Sequence, residues 1–329
     1  MKSFALLKRA PYAECQVIGI PCALLYYRYG LMWQTFLEEI GRTVVVSGPT
    51  DRAILEEGDR LSVDECCLAS KIYMGHVASL ADRCDAVLVP RYSSFGKHRT
   101  FCTKFEALPD LVRNTFALQR PDVSLNVISF QIDKNVLEGK ERDAFIALGE
   151  SFGVPAKESK AAYEKASRMQ DSMDFHHARV VEDAIAEASG LKILVVAHPY
   201  VVHDEYVGEP IVAMLKDMDV TPLFADYVDK KKAFRKSKEF SDTLPWQINR
   251  ELVGAILELY SQIDGIVLIS AFPCGPDSMA DDAIMRYIKG KPILHITVDA
   301  QSGTAGLETR VESFVDILRY QRQGGYTHE

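Results

Sequence analysis

The sequence predicts an α/β protein with two doubly wound halves, each carrying a parallel sheet, joined by a long helix. Three observations lead there. Short Val- and Ile-rich runs are apolar throughout rather than alternating, as suits parallel strands covered on both faces. Longer segments with helical periodicity separate them, as right-handed βαβ crossovers require. The same strand spacing recurs on either side of a helix-rich stretch.

The strand candidates of the first half are residues 16–20, 43–47, 86–90 and 125–130. Those of the second half are 192–197, 221–225, 265–270 and 293–298. Between the sets, Ala, Glu and Lys recur at helical spacing from Pro155 to the stop signal at Gly190. The expected organisation is an N-terminal domain at 1–155, a bridging helix at 156–190 and a C-terminal domain at 191–329. One large sheet is the alternative. The halves share no apparent sequence identity, so the duplication is one of topology. Ligands of open parallel sheets sit beyond the carboxyl ends of the strands. Two such edges facing each other would make an interdomain cleft, the usual place for a site.

A length of 329 residues exceeds one ordinary core, while 47% apolar and 26% charged residues describe an ordinary globular chain. No apolar run reaches the length that spans a membrane. The N-terminus lacks an uninterrupted apolar stretch and a small-residue cleavage site, so the expectation is a mature, cytoplasmic protein. A net charge of −8 argues against a general nucleic-acid binder. The one basic run, 229–238, reads as a solvated loop. No G-x-x-x-x-G-K-[ST] is present and no G-x-G-x-x-G follows a strand, so neither a P-loop nor a nicotinamide site has support.

The seven cysteines are odd in number, which turns attention from disulfides to metal or redox chemistry. Cys102 follows the third strand of the first half, and Cys274 follows the third strand of the second. Cys67 lies near the start of the helix that leads into the first of these strands. All three can face one cleft, and they are the candidate ligands of a [4Fe–4S] cluster. Iron in a cluster needs soft thiolate ligands, and helix N-termini favour thiolate. Three protein ligands leave one iron open to water or substrate. The plain alternative for each cysteine is a buried structural thiol, and zinc on the same thiols is another. If helical, Cys66 and Cys67 point about 100° apart, so one of them faces the cleft. Cys67 is favoured because Lys71 would lie one turn on, on the same face. Cys15 and Cys84 read as packing or surface positions. A larger cluster that recruits Cys22 or Cys66 stays open.

Lys71 and Lys104 can stabilise a reduced cluster or a bound anion, or simply snorkel at the surface. His198, at the end of a strand, is a candidate proton donor; a structural histidine is its plain alternative. Glu65 is a candidate acid or base, with helix N-terminal charge as its alternative. Tyr92, Ser93 and Ser94 are expected near the pocket. His176 and His177 are expected to face solvent. Trp246 and Arg250 pack either the second half or a partner.

Taken together, these residues resemble a family. They are Ile18-Gly19-Ile20-Pro21 with Tyr26-Tyr27, Asp64-Glu65 with Cys67 and Lys71, and Gly75-His76-Val77. Pro90-Arg91, Cys102 with Lys104-Phe105, and Leu108-Pro109-Asp110 continue the pattern. The second half adds His198-Pro199-Tyr200 with Asp204, Leu244-Pro245-Trp246 with Arg250-Glu251-Leu252, and Cys274-Gly275-Pro276-Asp277-Ser278. Over essentially its whole length the chain is similar to proteins related to the 2-hydroxyglutaryl-CoA dehydratase D-component, the acyl-CoA dehydratase activase-related proteins. The resemblance implies two flavodoxin-like domains and a [4Fe–4S] cluster on three cysteines. It implies as partner an ATP-dependent activator ATPase, dimeric and with its own cluster, that injects a low-potential electron. It implies a 2-hydroxyacyl-CoA substrate bound at the open iron and dehydrated by radical chemistry, so the activity would be that of a lyase or a related reductase. Another branch holds a double-cubane cluster and reduces small molecules. A homo- or hetero-dimer fits the same picture. The rival expectations are a non-enzymatic electron relay and a cofactor-free small-molecule binder. This chain departs from the family pattern at Ala69, Thr103 and Cys22 and across 299–303.

Overall fold

The computed structural model describes residues 10–134, 140–300 and 306–325. The expectations that fall on residues 1–9 and 301–303 lie outside the described residues.

The first half runs β1 (Val17–Ile20), α1 (Tyr26–Glu39), β2 (Thr43–Val46), α2 (Arg52–Arg60), α3 (Leu68–Leu80), β3 (Ala86–Leu88), β4 (Arg91–Ser94), α4 (Thr103–Gln119), β5 (Val127–Ile128), β6 (Gln131–Asp133) and α5 (Glu141–Ser151). Then comes α6 (Ala156–Glu187), 32 residues long. The second half runs β7 (Leu191–Val196), α7 (Pro199–Val202), α8 (Glu209–Asp217), β8 (Val220–Phe224), α9 (Lys230–Lys236), α10 (Gln247–Leu259), β9 (Gly265–Ala271), α11 (Gly275–Tyr287), β10 (Ile293–Val298) and α12 (Leu307–Arg322).

Two four-stranded sheets form, in the orders β2-β1-β3-β5 and β10-β9-β7-β8. Every pairing in them is parallel, with Ile18 opposite Val44 and Ala86 in one sheet and Ile193 opposite Pro222 and Gly265 in the other. Counted within its own half, each sheet reads second, first, third, fourth, the flavodoxin-like order. Its switch point lies between the first and third strands. The duplicated topology expected from strand spacing is therefore present. β9 is buried along all its length, as its apolar run requires.

One feature was not expected. The third and fourth strands of the first half resume beyond short breaks as β4 and β6, which pair parallel with Arg91 opposite Gln131. The continuation carries the chain past Pro90 to Ser94. Tyr92, Ser93 and Ser94 are thus strand residues rather than pocket residues. Tyr92 is fully buried, stacks on Tyr29 at 5.1 Å and accepts a hydrogen bond from Trp33 Nε1.

α2 and α3 cross closely because two glycines permit it. A Cβ on Gly58 would lie 2.0 Å from the Lys71 carbonyl oxygen, and one on Gly75 would lie 1.9 Å from that of Ile54. α6 touches both halves: Lys165 pairs with Glu39, and Asp174 with Lys230. The basic run is not a loop. Asp229 caps α9 by accepting from the Lys232 amide at 2.8 Å, which turns lysines 230–232 into its first turn. No helix among the described residues is long and apolar enough to cross a membrane.

Candidate metal centre

Cys67, Cys102 and Cys274 line one pocket between the two sheets. Each occupies the same local position, the residue before a helix: Cys67 precedes α3, Cys102 precedes α4 and Cys274 precedes α11. None of the three uses its side chain to cap its helix. All seven cysteines are free thiols. Three positive helix ends therefore surround three sulfur atoms.

Backbone bonds between the halves hold this arrangement. The Leu68 amide donates to the Phe272 carbonyl at 2.9 Å. The Thr100 amide donates to Pro245 at 3.0 Å, and the Gln247 amide returns to Thr100 at 2.8 Å. A buried ion pair reinforces them: Arg28 Nη1 meets Glu251 Oε2 at 2.5 Å, both side chains being under a tenth exposed.

The pocket wall is largely apolar, with Phe101, Phe105, Trp246 and Ile248 in it. Burial pushes the Cys67 and Cys274 thiols up, and the Asp277 charge adds to the effect on Cys274. Neutral buried thiols become thiolates when a cationic group takes the proton's place. Lys104 is in the wall, and its Nζ lies 3.3 Å from the buried Cys66 sulfur. Cys66 and Cys67 both precede α3, so helical divergence does not separate them. Cys67 lines the pocket; Cys66 faces Lys104 instead.

His198 follows β7, at the residue before α7, and also lines the pocket. Its Nδ1 faces the two Asp277 carboxylate oxygens at 3.0 and 3.1 Å. Burial pushes the Asp277 carboxyl up, but His198, Asn249 Nδ2 at 2.9 Å and the Cys274 thiol outweigh it and hold the group below the usual carboxylate range. An ionised carboxylate needs a donor, so Nδ1 carries the proton. The ring stacks on Tyr200 at 4.9 Å. Two polar atoms of the wall, Ser70 Oγ and Asn249 Oδ1, are buried without hydrogen-bond partners.

Two expected site residues are elsewhere. Glu65 is exposed in the turn before Cys66 and is not in the wall. Lys71 is one turn beyond Cys67, yet its Nζ bonds Asp59 at 2.6 Å, outside the wall. The helix is packed tightly against α2 at Gly58, and the lysine follows that contact outward. Arg250 packs within the second half, bonding Ser237 Oγ and the Leu244 carbonyl. Sequence reasoning missed Asp277 and Asn249 as site residues. The signal for Asp277 was an acidic residue three positions after a candidate ligand, in the first turn of its helix; Asn249 offered none.

Iron–sulfur chemistry can be tested against this donor set. Soft sulfur donors, helix N-termini, an apolar wall and a nearby lysine suit an iron–sulfur group. Among the described residues no three or more His, Cys, Asp or Glu side chains stand together so as to hold a single metal ion. A cubane makes no such demand, because each thiolate binds a different iron. The residues fit.

Fold and site together define a two-sheet α/β protein with a cysteine-lined interdomain pocket. The family described as "CoA enzyme activase uncharacterised domain" matches residues 17–228, and the chain belongs to it. The match includes Cys67, Cys102 and His198, whereas Cys274 and Asp277 lie beyond it. No curated protein matches the chain. Among solved structures, the SBP FpvC from P. aeruginosa in complex with Ni2+ is 11% identical over 95% of this chain and 99% of that one, with a TM-score of 0.25. A metal-free periplasmic metal binding protein from Candidatus Liberibacter asiaticus is 10% identical over 92% and 99%, also at 0.25. A putative phosphosugar isomerase from Salmonella typhimurium LT2 is 12% identical over 95% and 91%, at 0.23. Likenesses at these TM-scores say nothing about the site.

Proposed function

We propose that this chain is an iron–sulfur protein of the 2-hydroxyacyl-CoA dehydratase type, with a [4Fe–4S] cluster on Cys67, Cys102 and Cys274. The observation that carries the reading is the convergence of three cysteines, each the residue before a helix and drawn from both halves, on one apolar pocket. Membership of a CoA enzyme activase-related family supports an ATP-dependent activator with its own cluster as the electron-donating partner. When bound, the cluster would supply one-electron chemistry and one open iron position.

The chain's own residues do the rest. Leu68, Thr100 and Gln247 hold the ligand turns of the two halves together through backbone bonds. Asp277 orients the His198 ring and fixes its proton at Nδ1, so Nε2 is the atom that takes or gives a proton in the pocket. Phe101, Phe105 and Trp246 keep water from the reacting groups. Lys104 supplies positive charge beside the Cys66–Cys67 pair. An acyl-CoA thioester whose acyl end enters this pocket is the substrate class in the reading.

Spectroscopy on anaerobically prepared protein tests it, with and without 2-hydroxyacyl-CoA thioesters. The expected result is an iron–sulfur absorption and electron-resonance signal that changes with the thioester. An unchanged iron–sulfur signal points to an electron relay, and a colourless protein to a cofactor-free binder; either contradicts the reading.

A further inference from the structure

A second pocket lies where α1, α6 and the segment after β8 meet, and none of the seven cysteines lines it. Its wall includes Tyr27 of α1, Gln170 and His177 of α6, and Asp226 with Lys230. The reading of its chemistry does not depend on the proposed function.

Asp226 is in the 3-10 turn Ala225–Tyr227 at the carboxyl end of β8, with its side chain 8% exposed. Its Oδ2 accepts from His203 Nε2 at 2.9 Å, whereas its Oδ1 is buried without a partner. Gln170 has the same asymmetry. Its Nε2 donates to Asp174 Oδ1 at 3.0 Å, and its Oε1 is buried without a partner. Two acceptors in one pocket thus lack donors, and buried polar groups rarely go without. The cations of the wall are already engaged. Lys230 Nζ bonds Asp174 at 2.6 Å, and Arg28 is held by Glu251 through both terminal nitrogens, which leaves only its Nε buried without a partner. Among the described residues, Asp226 is the wall carboxylate with neither a lysine nor an arginine partner.

His177 was expected to face solvent. It is instead half-buried and lies flat on Tyr227, at 3.8 Å with 2° between planes. Tyr227 in turn stacks on His203 at 4.9 Å. Burial and the Lys230 charge lower the His177 pKa, so the ring presents a neutral aromatic surface at physiological pH.

We propose that this pocket binds a small organic ammonium ion, with Asp226 Oδ1 and Gln170 Oε1 as its acceptors. An ammonium brings several donors and one positive charge, and aromatic faces attract it. A neutral alcohol would satisfy a lone pair but add no countercharge to a carboxylate whose other oxygen is already taken by His203. Calcium wants six to eight oxygen ligands, and the wall has two free ones. Lys230 is the internal rival, but turning to Asp226 would strand Asp174.

The test is isothermal titration of the full chain with n-propylammonium chloride, with n-propanol and sodium chloride as controls. Wild type, Asp226→Asn and Gln170→Met are compared, each checked for folding by circular dichroism. The expected result is saturable one-to-one binding of propylammonium by wild type and no binding of propanol. Asp226→Asn should weaken it at least tenfold, and Gln170→Met several-fold. If Asp226→Asn does not fold, Gln170→Met decides. Absence of saturable binding overturns the proposal, as does an affinity unchanged in the folded variants, or propanol binding as tightly as propylammonium.

Discussion

The Leu68 amide donates to the Phe272 carbonyl at 2.9 Å, which joins the turn that presents Cys67 to the turn that presents Cys274. Ligands from two halves of a chain are useful to one cofactor only if the halves are held in register. The buried bonds across this boundary do that, and several of them can be tested separately.

Arg28 and Glu251 form the first such pair. Each is almost wholly buried, so loss of one leaves an uncompensated charge. Arg28→Ala or Glu251→Ala should cost about 3–5 kcal/mol, whereas Arg28→Met with Glu251→Leu should cost much less than the two together. Urea unfolding of the singles and the double measures this.

His198 and Asp277 form the second pair, and here the readout is functional. His198→Gln should leave iron content unchanged, since the ring is not a ligand in this account. It should remove the thioester-dependent change in the spectrum, because Nε2 is gone. Retention of that response in His198→Gln would remove the histidine from the chemistry.

His76 gives a pH signature. It is fully buried between Ser47 Oγ at 2.8 Å and Thr50 Oγ1 at 2.9 Å. Thr50 passes the network on to Asp204 of the second half at 2.5 Å. Burial pushes the ring down to about 4, against an Asp51 charge that raises it. Above pH ~6.5 the ring is neutral folded and unfolded alike, and its contribution is fully present. Below that the unfolded chain binds a proton that the folded chain refuses, so stability falls with pH. The loss should reach about 3 kcal/mol near pH 4 and be absent in His76→Gln, as read from urea midpoints between pH 7 and 4.

Gly75→Ala tests the α2–α3 crossing. The added methyl would meet the Ile54 backbone oxygen, which has no easy way to move. A loss of roughly 1–3 kcal/mol is expected in thermal or urea unfolding.

Much of this was legible in the sequence. Apolar runs at matched spacing disclosed both sheets, because parallel strands covered on two faces are mostly apolar. Cys102 and Cys274 were placed together by the same logic, since both follow a third strand. Side-chain direction was less legible. Lys71 has the right helical spacing from Cys67, but spacing does not reveal that Asp59 draws its ammonium away. Glu65 is next to the cysteines in sequence and exposed in space. Asn249 enters the pocket from α10, which is held there by the Gln247–Thr100 bond, and no local pattern announces a contact between positions so far apart.

The central claim is that three thiols hold one cubane. Iron and acid-labile sulfide per chain, after anaerobic purification and reconstitution, measure it most directly. The account predicts about four of each, falling sharply in Cys67→Ser, Cys102→Ser and Cys274→Ser but not in Cys15→Ser. Fewer than about three irons per chain in the wild type would contradict it.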